Sequence, residues 1–140
     1  MRHPNWLLAE RVLLETLPGS TGFHPDQIAG LSSTDWHEFQ IDDRDPATVT
    51  EDLVAYCQPI VAGIIVVTTF QSWRPDVGPF FVGASGFPDF ATAYSEAYDD
   101  ALVAGDTVLV SAYTGIVVVV HHNGLIAAVR GSATQASIGG

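Results

Sequence analysis

The chain has 140 residues, 47% of them hydrophobic and 15% charged, with 16 carboxylates against five basic residues for a net charge of −11. That length suits one domain with its own core, and that hydrophobic fraction excludes a disordered chain. All five basic residues are arginines (Arg2, Arg11, Arg44, Arg74 and Arg130), so phosphate backbones and anionic lipid are repelled while a basic partner is attracted.

At the N-terminus, Glu10, Arg11 and Glu15 interrupt "MRHPNWLLAERVLLETLPG", so neither a signal peptide nor a membrane span is expected there. A first helix is expected with Asn5 as its N-cap; Trp6, Leu7, Val12, Leu13, Leu14 and Leu17 are its apolar residues, and Pro18-Gly19 stops it. Residues 18 to 35 carry Gly19, Gly22, Pro25 and Gly30 and are expected to be a loop; "WHEFQI", 36 to 41, alternates like a short strand. Thr48 and Glu51 have capping-box spacing, and Val49, Leu53, Tyr56 and Cys57 follow with helical period until Pro59.

"GIIVVTTF", 63 to 70, and "FFVGA", starting at 80, are expected to pair as strands across a loop with Pro75 and Gly78. A third helix is predicted from Pro88-Asp89 to Gly105, burying Phe90, Ala93, Tyr94, Ala97, Ala101 and Leu102. "DTVLVSAY", "IVVVVHH" and "LIAAVR" then form a three-strand meander closed by two-residue turns at Thr114-Gly115 and Asn123-Gly124. The fold class is α+β: a mainly antiparallel sheet of about five strands packed by two or three helices, over residues 1 to 131 as one domain. Residues 132 to 140, "SATQASIGG", form a tail, with Ser132, Thr134, Gln135 and Ile138 as candidate inter-subunit contacts.

Candidate chemistry is sparse. A two-residue turn pairs His122 with Leu125 and His121 with Ile126, so the two histidines point to opposite sheet faces. No Asp, Glu or Cys lies between 107 and 130 to complete a metal site around either histidine. The same register places Val118, Val120, Ala127 and Val129 on one face and Val117, Val119, Ile126 and Ala128 on the other. Both faces are apolar, so both must be covered, by helices of this chain or by another subunit.

"FVGASGFPDF", 81 to 90, resembles a phosphate cradle, but Asp89 sits where the anion would dock, and Phe87 replaces the glycine that a nucleophile elbow around Ser85 requires. Asp35, His37 and Glu38 are close in sequence, yet His37 and Glu38 face apart on a strand. The lone Cys57 has a helical core position; a single cysteine forms no internal disulfide and suits a reducing compartment. The expectation is therefore a protein with no catalytic, cofactor or metal site.

By order of elements over roughly residues 5 to 130, the chain resembles the small neck and tail-terminator proteins of tailed bacteriophages: an N-terminal helix, two strands, an alanine- and tyrosine-rich helix, then antiparallel strands. The helix at 48 to 58 and the loop at 18 to 35 depart from the simplest form of that pattern. The resemblance implies a non-enzymatic virion subunit assembled in the host cytoplasm, forming a homo-oligomeric ring beside other structural proteins. Its acidic lumen lets DNA pass without sequence-specific binding, and no membrane is involved. Two alternatives remain: an acidic immunity or inhibitor protein in the bacterial cytoplasm, presenting Asp42, Asp43, Asp45, Glu51 and Asp52 to a cationic toxin, and an adaptor resembling the roadblock type.

Overall fold

Five β-branched residues in a row, Ile116 to Val120, form the interior of the structure, each exposed by 5% or less. The computed structural model describes residues 2–39, 41, 44–103 and 105–131. In chain order the elements are α1 (Asn5–Thr16), β1 (His37–Glu38), α2 (Pro46–Cys57), β2 (Ile64–Thr68), β3 (Phe80–Gly83), α3 (Phe87–Tyr98), β4 (Thr107–Ser111), β5 (Ile116–His121) and β6 (Leu125–Arg130). The strands lie in the order β1-β6-β5-β4-β2-β3, every neighbouring pair antiparallel. This is the expected α+β architecture: β2 and β3 are paired, β4 to β6 form the meander, and a two-residue β1 is added at one edge.

Alternation along the strands divides the core in two. Ile65, Val67, Leu109, Val118, Val120 and Ile126 pack under α2 and α3, which supply Val49, Leu53, Cys57, Phe87, Ala91 and Tyr94. Val66, Val108, Val110, Val117, Val119 and Val129 pack under Trp6, Ala9 and Leu13 of α1, with Leu17, Phe23 and Ile28 from the segment that follows. The second apolar face is thus covered by this chain's own N-terminal third.

Four local expectations are corrected. Asn5 is the first residue of α1 rather than its cap, which is Pro4; Leu7 and Leu14 face outward. The α2 helix starts before Thr48, because Pro46 in its first turn has the backbone angle a helix requires. Asp45 is its boundary residue, without a side-chain cap bond. The α3 helix stops at Tyr98, where Asp99 takes the left-handed conformation (φ 54°) that Asp tolerates better than most residues. Its buried side is Phe87, Ala91 and Tyr94 while Ala93 and Ala97 are exposed; Ala101 and Leu102 are buried beyond the helix.

The fourth correction concerns the last hairpin. His121 pairs with Leu125 and Val120 with Ile126, so the loop has three residues, 122 to 124, and Gly124 takes φ +87°. Such three-residue loops end on a residue in the left-handed region, usually glycine. A one-residue change of register turns a whole strand over. Ile126 therefore shares a face with Val118 and Val120, Ala127 and Val129 share one with Val117 and Val119, and Ala128 is exposed. The first meander turn is also longer than two residues, since Ser111 pairs with Ile116.

The tail residues Ser132, Thr134, Gln135 and Ile138 lie outside the described residues, as do Asp42 and Asp43. No helix among the described residues is long and apolar enough to cross a membrane. Phe87 is fully buried between sheet and helices, so Phe87→Ala is expected to cost about 3–5 kcal/mol in urea unfolding. Arg11→Ala, at an exposed position of α1, should remain within about 0.5 kcal/mol of the parent in the same measurement.

Candidate functional site

The three-residue loop that corrects the register also gathers ionisable groups. His121 is the last residue of β5, and His122 stands in the loop rather than in the strand ladder. Freed from strand alternation, the His122 ring lies beside that of His121: the centroids are 4.4 Å apart and the planes 24° from parallel. The expected divergence of the two histidines is thus overturned.

Register across the other side of β5 supplies the third group. Thr107 pairs with Val120, so Asp106, one residue earlier, comes level with His121 at the same end of the sheet. Asp106 Oδ1 accepts hydrogen bonds from the His122 backbone N–H and pairs with His122 Nδ1, both at 2.8 Å. One ligand atom from each of Asp106, His121 and His122 lies within 4.8 Å of the others; among the described residues no other group of three such side chains is arranged this way.

Partial burial pushes the Asp106 carboxyl up. The ring and backbone hydrogen bonds from His122 and the charges of both histidines outweigh it, and the group is held below its ordinary value of 3.8. With an ionised carboxylate on Nδ1, the neutral His122 ring carries its hydrogen there and leaves Nε2 as a lone-pair donor. His121 is set the other way, because its Nδ1 accepts the Asn123 N–H at 3.1 Å. Trp36 meets the His121 ring edge-on at 6.0 Å.

Beside the cluster lies a cleft of about 590 Å³, walled by His24, Asp26, Leu31, Trp36, Asp106 and His121. Its far wall is tied to α1 by stacked rings: His24 on Trp73 at 4.7 Å, and Trp73 on Trp6 at 4.4 Å. A base with a carboxylate behind it, a second imidazole and an adjoining cleft can bind a cation or exchange protons.

The other candidates are dispersed. His37 and Glu38 are exposed on β1, and the Asp35 carboxylate accepts the Ser32 N–H at 2.8 Å as part of a turn. Ser85 lies in the short turn before α3, and Asp89 occupies the first turn of α3 as expected. Cys57 is fully buried, and burial pushes its thiol up to about 12, far from a nucleophile's range. Asp45 and Glu51 line a groove between α2 and α3, whereas Asp52 is paired with Arg44 at 2.6 Å.

Sequence reasoning missed Asp106 by one position: the carboxylate-free stretch around the histidines runs from 107 to 130, and Asp106 stands just before it. The available signal was "HHNGL" itself, which accommodates a three-residue loop ending on Gly124 as readily as a two-residue turn. No family model matches the chain, and no curated protein or solved structure matches it significantly.

A depressed carboxyl stabilises the fold above its unfolded pKa, and that contribution is lost as pH falls through the folded value. Asp106→Asn should therefore be less stable than the parent at neutral pH, and the gap should close as pH falls below 3.8, measured by urea unfolding across pH. Cys57 should resist a thiol reagent in the native protein and react once urea unfolds it, as followed by chromophore release.

Proposed function

We propose that this chain is a non-enzymatic structural subunit that assembles with copies of itself, of the ring-forming kind found at the neck or tail end of tailed bacteriophages. The supporting observation is a strip of sheet that the described residues leave uncovered. The side of the sheet under α1 is buried over β4, β5 and β6, but at its β2–β3 margin Ile64 is 64% and Phe81 37% exposed. Ile64 pairs with Gly83 and Val66 with Phe81, which makes Ile64 and Phe81 diagonal neighbours on that face. Tyr113, 80% exposed, stands against Gly63 beside them.

Among the described residues β3 is also an edge strand, and its outer backbone groups adjoin this apolar strip. A second apolar surface lies elsewhere: Leu7 and Leu14, two turns apart on the outer side of α1, are 71% and 48% exposed. Two different apolar surfaces on one molecule suit a head-to-tail contact, and head-to-tail contacts close into rings when the rotation permits. The order of elements supports the phage assignment. A net charge of −11 suits a lumen through which DNA slides without sticking.

One observation favours a second reading, an inhibitor of a basic protein. The groove between α2 and α3, about 530 Å³, is lined by Asp45, Glu51, Glu96, Asp99 and Asp100 and by no basic residue. That reading requires a monomer that captures a cationic partner with strongly salt-dependent association.

Light scattering coupled to size exclusion, with negative-stain imaging, separates the two. The structural reading expects a closed oligomer that Ile64→Glu with Phe81→Glu converts to a folded monomer, and that deletion of 132–140 weakens. A parent chain that stays monomeric at high concentration, or an oligomer indifferent to these changes, counts against it.

A further inference from the structure

We propose that Asp106, His121 and His122 form a binding site for a divalent late first-row transition metal, with Zn²⁺ as the ion of best fit. The inference is independent of assembly and rests on the geometry of the β5–β6 loop. Two imidazoles and a carboxylate are a donor set that zinc, cobalt and nickel accept, whereas the nitrogen donors disfavour calcium and magnesium.

Three features point the same way. First, the loop register places both rings on one side, stacked 4.4 Å apart, with a ligand atom of each residue within 4.8 Å of the others. At ordinary zinc bond lengths, tetrahedral ligand atoms stand about 3.4 Å apart, so adjustments of up to about 1.4 Å complete the set. His122, its side chain 55% exposed, has room for that movement.

Second, two of the donors already face each other. His122 Nδ1 lies 2.8 Å from Asp106 Oδ1, and an ion entering between them is bound by both once the neutral ring's hydrogen moves from Nδ1 to Nε2. The His122 backbone N–H also donates to Oδ1 and holds the carboxylate in place. Third, three protein ligands leave a fourth position open. The cleft of about 590 Å³ that Asp106 and His121 border gives water or a partner's side chain access to it.

His121 makes the proposal specific. Its Nδ1 accepts the Asn123 N–H at 3.1 Å. Ligation through Nδ1 takes that lone pair, and ligation through Nε2 moves the ring hydrogen to Nδ1. Either way the Asn123 bond is given up, and the metal–nitrogen bond replaces it.

The test is a Zn²⁺ titration of the untagged full chain by calorimetry, with Co²⁺ absorption as a second probe and an amide NMR spectrum in each state. The expected result is one ion per chain, a shifted Asn123 amide, and a Co²⁺ spectrum with d–d bands but no thiolate charge transfer. Affinity should fall about 100-fold or more in His121→Ala and His122→Ala and about 10-fold or more in Asp106→Asn. Binding should be unchanged in His24→Ala and His37→Ala, with circular dichroism confirming that every variant is folded. Absence of stoichiometric binding, retention of affinity in His122→Ala and His122→Gln, or loss in His37→Ala overturns the site.

Discussion

The rest of the structure depends on a central strand with no polar side. Val117 to Val120 of β5 alternate onto two faces, and all four are fully buried. Hydrogen bonds to β4 and β6 satisfy the backbone of β5, which leaves only the side chains to be shielded. Shielding both faces requires a layer on each. The α2 and α3 helices supply one, and α1 with residues up to Ile28 supplies the other. Residues 18 to 35, which by composition are only a loop, therefore have a core role: Phe23 and Ile28 are buried beside the helical side chains of α1.

That constraint was largely legible in the sequence. Valine alternation with no polar position implies a doubly covered sheet, and the strand pairings of β2–β3 and β4–β6 follow from turn residues and β-branched runs. What the covering layer consists of was less legible, because a helix with leucines all round does not declare which side is inward. In α1 it is Trp6, Ala9 and Leu13 that are buried, while Leu7 and Leu14 are not. Helix ends were the other weak point. Asp99 ends α3 by one left-handed residue, a conformation that Asp adopts too rarely for its presence to predict it.

The candidate site was hidden by a single-residue ambiguity. Two-residue and three-residue loops fit "HHNG" equally well, and the choice determines whether His122 is a strand residue or a loop residue. In a strand it would be opposed to His121 by the pleat; in the loop it stacks on it. Asp106 joins them only through the β4–β5 register, a pairing between residues 15 and 16 positions apart. Pattern reading within one segment does not reach that far. Gly124 holds the arrangement from below: it has a positive φ, and its carbonyl accepts the Phe39 N–H at 2.7 Å, tying the loop to the residue after β1.

The exit of the chain from the sheet gives the molecule a direction. β6 begins at the histidine loop and ends at Arg130, and Gly131 then donates to the Gly115 carbonyl at 2.6 Å, at the opposite end of β5. A side chain on Gly131 would collide with the carbonyl of Thr16 at the end of α1. Six strand residues separate these poles, about 20 Å at the usual rise. One pole carries imidazoles and a carboxylate; the other carries Gly131 on the Gly115 carbonyl. Copies packed side by side about a two-fold axis across the strands would set opposite poles next to each other, whereas copies related by translation or by a ring rotation along the strands keep them in common alignment. The chain would then leave the sheet at Gly131 along the same rim of every subunit, with the histidines ranged along the other.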